Sequence, residues 1–179
     1  MTTSPESSLT TLAPEVGAPS PSDAARREGP YGARVWLFPL TYGAHLCEEI
    51  WGGDGFPAWL AHVRGTPLPW RSFVVLNAIA FTIMCMAVLA IHRRPQLRQL
   101  LGVLGAIVCT NAILHVIGTV ATHRYSPGLV TGTVLWLPLG SWALRGVVKR
   151  FGIAALGPAI IGGLAAHTAV SAAALLAGR

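Results

Sequence analysis

The sequence has little charge and almost no acid. Of its 179 residues only 11% are charged, against 53% hydrophobic, and the mean hydropathy is +0.56. A soluble domain carries about 25% charged residues, so this chain could not cover a water-facing surface. The same apolar excess excludes a disordered chain. The acids are Glu6, Glu15, Asp23, Glu28, Glu48, Glu49 and Asp54, and none follows Asp54. Lys149 is the only lysine. That arginine bias, with abundant Ala and Gly, points to a GC-rich bacterial genome. Cys47, Cys85 and Cys109 are the only cysteines, and no CxxC occurs. An odd set inside apolar text excludes a disulfide framework and reads as small buried hydrophobes. The net charge of +6 comes from basic residues scattered between apolar stretches. Such scatter argues against nucleic acid as a partner and for membrane topology. There is no internal repeat.

What is there is a series of apolar segments behind a polar start. Residues 1–33 are rich in Ser, Thr, Pro and Ala, with no apolar stretch directly after the Met. They read as a disordered cytoplasmic tail, not a signal peptide. A spanning helix needs about 20 mostly apolar residues. Five segments qualify: Arg34–Trp51, Ser72–Ile91, Leu97–Thr122, Gly128–Leu144 (short and interrupted by Pro138) and Phe151–Leu176. Segments two to five lack the charged stripe of a soluble amphipathic helix. Residues 34–178 are therefore expected to form one all-α membrane domain, a bundle of five transmembrane helices. Arg26, Arg27, Arg34, Arg93, Arg94, Arg98, Arg145, Lys149 and Arg150 fall on one side, and Arg64, Arg71, Arg124 and Arg179 on the other. The positive-inside rule then places the N-terminus in the cytoplasm and the C-terminus outside, in a cytoplasmic (inner) membrane. Trp51, Trp59 and Trp70 flank the outer 1–2 connection and suit an interfacial belt. That connection is long enough to lie on the membrane and cover something. Gly152, Gly157, Gly162 and Gly163 give the fifth segment a small face for close packing.

Two of the scarce acids sit inside the first apolar segment, in His45-Leu46-Cys47-Glu48-Glu49. At about 100° per residue, Glu48 lies about 60° to one side of His45 and Glu49 about 40° to the other. Three ionisable groups thus share one stripe. A carboxylate at the membrane centre costs about 2.5–3.5 kcal/mol, so the pair calls for a cation, a proton or water. A wet outer interface beside Trp51 and Asp54 is the plainer account. The third segment carries Asn111 and His115 at i and i+4 on one face, with His123 eight residues on. At 1.5 Å per residue, His45, His115 and Asn77 all lie about 9–12 Å below the outer end of their segments. That shared depth defines a polar site in the outer half of the bilayer.

Two His and one carboxylate with an open position are the ligand set of catalytic zinc, with a further Glu available as base. The same set suits ferrous iron. A di-iron bundle site needs about four carboxylates, and segments two to five supply none. The sequence therefore assigns His45, Glu49 and His115, with His123, to a divalent metal. Glu48 is the expected general base, and the two glutamates could exchange roles. Asn111, Asn77 and Tyr125 would orient substrate or water. His62 and His92 read as surface residues, and His167 as a weaker bundle-interior partner. The expected reaction is hydrolysis of a lipidic or amphipathic substrate, with membrane lipid as partner. A metal-free isomerase or cyclase using Glu48 and Glu49 is one alternative. A carrier or cation-binding protein is another, although carriers often show inverted repeats. The oligomeric state is left open.

Tyr125-Ser126-Pro127-Gly128 closes the third segment. Taken with the two earlier motifs, this chain resembles the HXXEE family of small membrane proteins. That family is marked by HxxEE, NxxxH and YxPG in this order, and each is intact here. The resemblance spans about residues 34–178. It implies that these positions matter together and brings no reaction with it.

Overall fold

The computed structural model describes residues 32–177. The expected tail, residues 1–33, lies outside them but for its last two. The described residues form helices joined by turns and short loops, without a strand. A 3-10 turn, Gly32–Trp36, leads into α1 (Leu37–Trp51). Two short helices follow, α2 (Phe56–Trp59) and α3 (Ala61–Arg64), and then α4 (Trp70–Arg93). A second 3-10 turn, Pro95–Gln99, precedes α5 (Leu100–Thr122). Next come α6 (Leu129–Thr131), a π-helical turn at Gly132–Trp136 and α7 (Leu137–Phe151). A last 3-10 turn, Ile153–Ala155, opens α8 (Leu156–Leu176).

All five expected apolar segments are helical, but they are not of one kind. Three stretches are long and apolar enough to cross a membrane: Trp70–Arg93, Gln96–Thr122 and Ile153–Leu176, of 24, 27 and 24 residues. At 1.5 Å per residue, 24 residues reach about 36 Å, beyond a hydrocarbon core of about 30 Å. The first and fourth segments fall short of that measure. Large apolar side chains such as Val75, Ile79, Ile83 and Met86 on α4 face outward. Such outward residues suit lipid as the surrounding solvent.

Small residues hold the centre together. α5 packs against α7 and α8 through Gly102, Gly105, Gly140 and Gly163. A Cβ on Gly163 would lie 2.4 Å from Ala106 Cβ, and one on Gly140 2.4 Å from Cys109 Sγ. Such close approach substitutes packing for a hydrophobic driving force. On the fifth segment only Gly162 and Gly163 meet α5; Gly152 and Gly157 have nothing beside them.

Three expectations are corrected here. The fourth segment runs on to Phe151, and Pro138 does not break it. The π turn ahead of the proline, closed by Leu137 N–H on Gly132 O, places Pro138 in the first turn of α7, where a missing N–H is tolerated. Cys47 is exposed and not buried, while Cys85 and Cys109 are partly buried; all three are free. Trp59 turns inward, 7% exposed, leaving Trp51 and Trp70 as the outward rings.

The 1–2 connection does cover something. Gly55, at φ 77°, turns the chain back so that α2 and α3 fold over the end of the bundle. Trp59, Leu60, Leu68 and Phe73 form a buried cluster, with Leu46, Ile50 and Phe56 packed against it. Arg64 donates to Ala174 O at 2.9 Å and to Ala177 O at 2.7 Å. It thereby satisfies carbonyls that the end of α8 leaves without a helical partner.

Candidate metal centre

The buried stripe of α1 is Phe38, Tyr42, His45 and Glu49, spaced four, three and four residues apart as one helical face requires. His45 and Glu49 therefore point into the bundle together. His115 reaches them from α5. Both Nε2 atoms lie 3.5 Å from Glu49 Oε1, and the ligand-capable atoms of the three residues all fall within 4.8 Å of one another. His45 is 2% exposed, Glu49 6% and His115 4%. The two imidazoles meet edge to face at 5.0 Å. His45 Nε2 is buried with no hydrogen-bond partner. Two nitrogens and a carboxylate oxygen facing one another in an apolar interior are a donor set suited to zinc or ferrous iron.

Each ring is held at its other nitrogen by a hydroxyl. His45 Nδ1 lies 2.8 Å from Thr131 Oγ1, and His115 Nδ1 lies 2.9 Å from Ser126 Oγ. Trp136 stacks on His45 at 3.8 Å, and Phe56 stands edge-on to His115 at 5.7 Å. Gly128 has φ 102°, and a Cβ there would lie 2.6 Å from His115 Cε1 and 2.7 Å from His45 Cε1. Only glycine gives that backbone conformation and leaves room for both rings.

Glu48 faces a different way. Its Oε1 accepts the Tyr125 hydroxyl and the Val130 N–H, the latter at 2.9 Å. Its Oε2 accepts the Thr131 N–H at 2.6 Å and the Thr131 hydroxyl. The carboxylate thus caps the first N–H groups of α6, as an anion at a helix N-terminus should. Tyr125 pays for that contact in acidity: burial and the neighbouring carboxylate push its hydroxyl up to about 12.

The remaining expected residues are placed as follows. Asn111 lies one turn inward of His115, its Oδ1 buried and without a partner. Asn77 is engaged elsewhere, accepting from the Tyr42 hydroxyl at 2.8 Å and donating to Phe73 O at 3.1 Å. His123 stands outside the cluster: α5 stops at Thr122, and His123 caps it at φ 53°, exposed. His92 packs against Trp36, and His167 pairs with Ser171 at 3.1 Å. Sequence reasoning missed Ser126, Thr131, Trp136 and Tyr42. Ser126 could have been suspected as the variable position of YxPG; Thr131 carried no signal of its own.

A family model described as "Protein of unknown function with HXXEE motif" matches residues 36–143. That is more than half of the chain, and it takes in all three motifs. No curated protein matches the chain, and no solved structure does. His45 and Glu49 of HxxEE, His115 of NxxxH and Gly128 of YxPG meet in one place, and the chain belongs to the HXXEE family.

Proposed function

We propose that this protein is a membrane-embedded, metal-dependent enzyme. Its divalent ion is held by His45, Glu49 and His115, and it hydrolyses a lipidic or amphipathic substrate. All five helical segments, the three long ones and the two shorter ones, cross the cytoplasmic membrane, with the N-terminus inside and the C-terminus outside. The observation that carries this reading is His45 Nε2, a buried nitrogen with no hydrogen-bond partner, beside a second imidazole and a carboxylate. An unsatisfied buried polar group costs about 1–3 kcal/mol, and a divalent cation would relieve it at His45 Nε2. Zinc is the best match to two imidazoles and one carboxylate, with ferrous iron next.

When bound, such an ion supplies a Lewis acid that polarises a carbonyl or phosphoryl oxygen and acidifies water. The chain's own residues do the rest. Asn111, with a free buried Oδ1 one turn deeper, orients a substrate donor or a water. Tyr125, its proton given to Glu48, offers an acceptor oxygen at the outer rim. Phe56 and Trp59 shut bulk water out. Glu48 has all four acceptor positions of its carboxylate engaged, which favours a supporting role over that of general base.

Elemental analysis of the purified full-length protein tests the reading. One zinc or iron per chain is expected in the wild type, and His115→Ala should lose it. Equal metal content in the two would refute the ligand assignment. Chelator-sensitive hydrolysis of ester or phosphoester lipids is expected. Turnover that survives metal removal would favour a metal-free isomerase or cyclase, and a metal-loaded protein without turnover a cation-binding role.

A further inference from the structure

The two adjacent acids of the HxxEE motif lie on different sides of His45, and the side that Glu48 takes has a specific consequence. A carboxylate can only accept hydrogen bonds, and Glu48 accepts four. One comes from the Thr131 hydroxyl, which owns a single proton. With that proton committed to Glu48, Thr131 Oγ1 can only accept from His45 Nδ1, 2.8 Å away. We propose that Glu48 and Thr131 are positioning residues: they hold the proton of His45 on Nδ1 and so aim the lone pair of its Nε2 at the space shared with Glu49 and His115. This inference rests on the metal reading of that space.

Three further observations support the relay. Val130 and Thr131 both give backbone N–H groups to the same carboxylate, so the threonine is anchored at its main chain as well as its hydroxyl. Trp136 lies over the face of the His45 ring. It comes from the π turn that begins one residue after Thr131, and π turns of this kind recur at functional sites. The second imidazole is held differently. His115 Nδ1 rests on Ser126 Oγ, whose own backbone N–H goes to Thr119, with no carboxylate among these contacts. The two histidines are therefore oriented unequally, and His45 is the one whose tautomer is dictated. Partners behind a metal-binding imidazole commonly change metal affinity by about 10–100-fold.

Cobalt(II) or zinc(II) titration of the full-length protein in detergent, in competition with a chelator of known affinity, tests the relay. Thr131→Val should weaken binding by about 10–100-fold, and Thr131→Ser, which keeps the hydroxyl, should restore most of it. Equal affinity in wild type and Thr131→Val would overturn the relay while leaving the metal site standing. No binding by the wild type would overturn the metal reading itself. Nitrogen NMR of isotope-labelled histidine in the metal-free wild type gives a second readout that needs no variant. His45 should be protonated on Nδ1, and protonation on Nε2 would overturn the proposal.

Discussion

Gly128 and His115 are in such close contact that a single added carbon on the glycine would lie 2.7 Å from His115 Nε2. The glycine of YxPG is therefore a shape requirement of the candidate metal centre and not a plain turn residue. Gly128→Ala would place a Cβ at φ 102°, a region that costs a non-glycine residue about 1–3 kcal/mol, and would push both imidazoles apart. The expected result is a lower thermal midpoint together with metal content well below one per chain. A variant with wild-type metal content would show that the rings have room to move.

The neighbours Glu48 and Glu49 should separate cleanly. Among the described residues, Glu49→Gln removes the only carboxylate oxygen within reach of both Nε2 atoms, and it should abolish metal retention through purification. Glu48→Gln keeps the side chain's volume and part of its hydrogen bonding. It should retain metal, more weakly bound, with a loss like that of Thr131→Val. If the two variants lose metal equally, the division of labour between them fails.

Tyr125 gives a pH signature. Its hydroxyl is raised from 10.0 to about 12 by burial and by Glu48. Because the folded state favours the protonated phenol, its contribution to stability is complete below pH 10 and disappears as pH rises through 12. The tyrosinate absorbance difference between wild type and Tyr125→Phe should therefore titrate near 12. In Glu48→Gln the same difference should move towards 10. A midpoint near 10 in the wild type would mean that the Tyr125–Glu48 contact is absent in solution.

Arg64 ties the cover to the end of α8 through two carbonyls. Hydrogen bonds from a charged donor contribute about 1.5–3 kcal/mol each when well shielded, and the partial exposure of this side chain reduces that. Arg64→Ala should lower stability by about 1–2 kcal/mol and speed removal of the metal by a chelator, because α2 would be freer to lift from His115. An unchanged rate of removal would show that the cover does not control access.

The sequence exposed the ingredients of this site better than their roles. His45, Glu49 and His115 were recoverable because helical spacing and shared depth bring them to one level. Which glutamate turns inward was not, because the two straddle His45 at comparable angles. The choice is made by Phe38 and Tyr42, which extend the buried stripe towards Glu49. His123 fits a spacing of eight only while the helix lasts, and a left-handed residue ends it there. Asn77 has the right depth, yet Tyr42 claims its carbonyl oxygen. Thr131 and Ser126 are ordinary hydroxyl residues without periodic signal; folding alone brings them to the imidazoles. Pro138 signalled a break that the π turn at Gly132–Trp136 absorbs.

The separation along the chain of the residues around Glu49 sets an order of events during synthesis. His45 and Glu49 are made early and His115 some seventy positions later, but the hydroxyls that orient the two rings belong to Ser126 and Thr131. Until the ribosome has passed Thr131, the three ligands exist without their supports, and the capping partner of Glu48 does not exist at all. On the proposed metal reading, loading of an ion would thereby be deferred until Thr131 has been made, and the ion would then fasten the first segment to the third. A nascent chain arrested between His115 and Ser126 should bind zinc far more weakly than one arrested beyond Trp136.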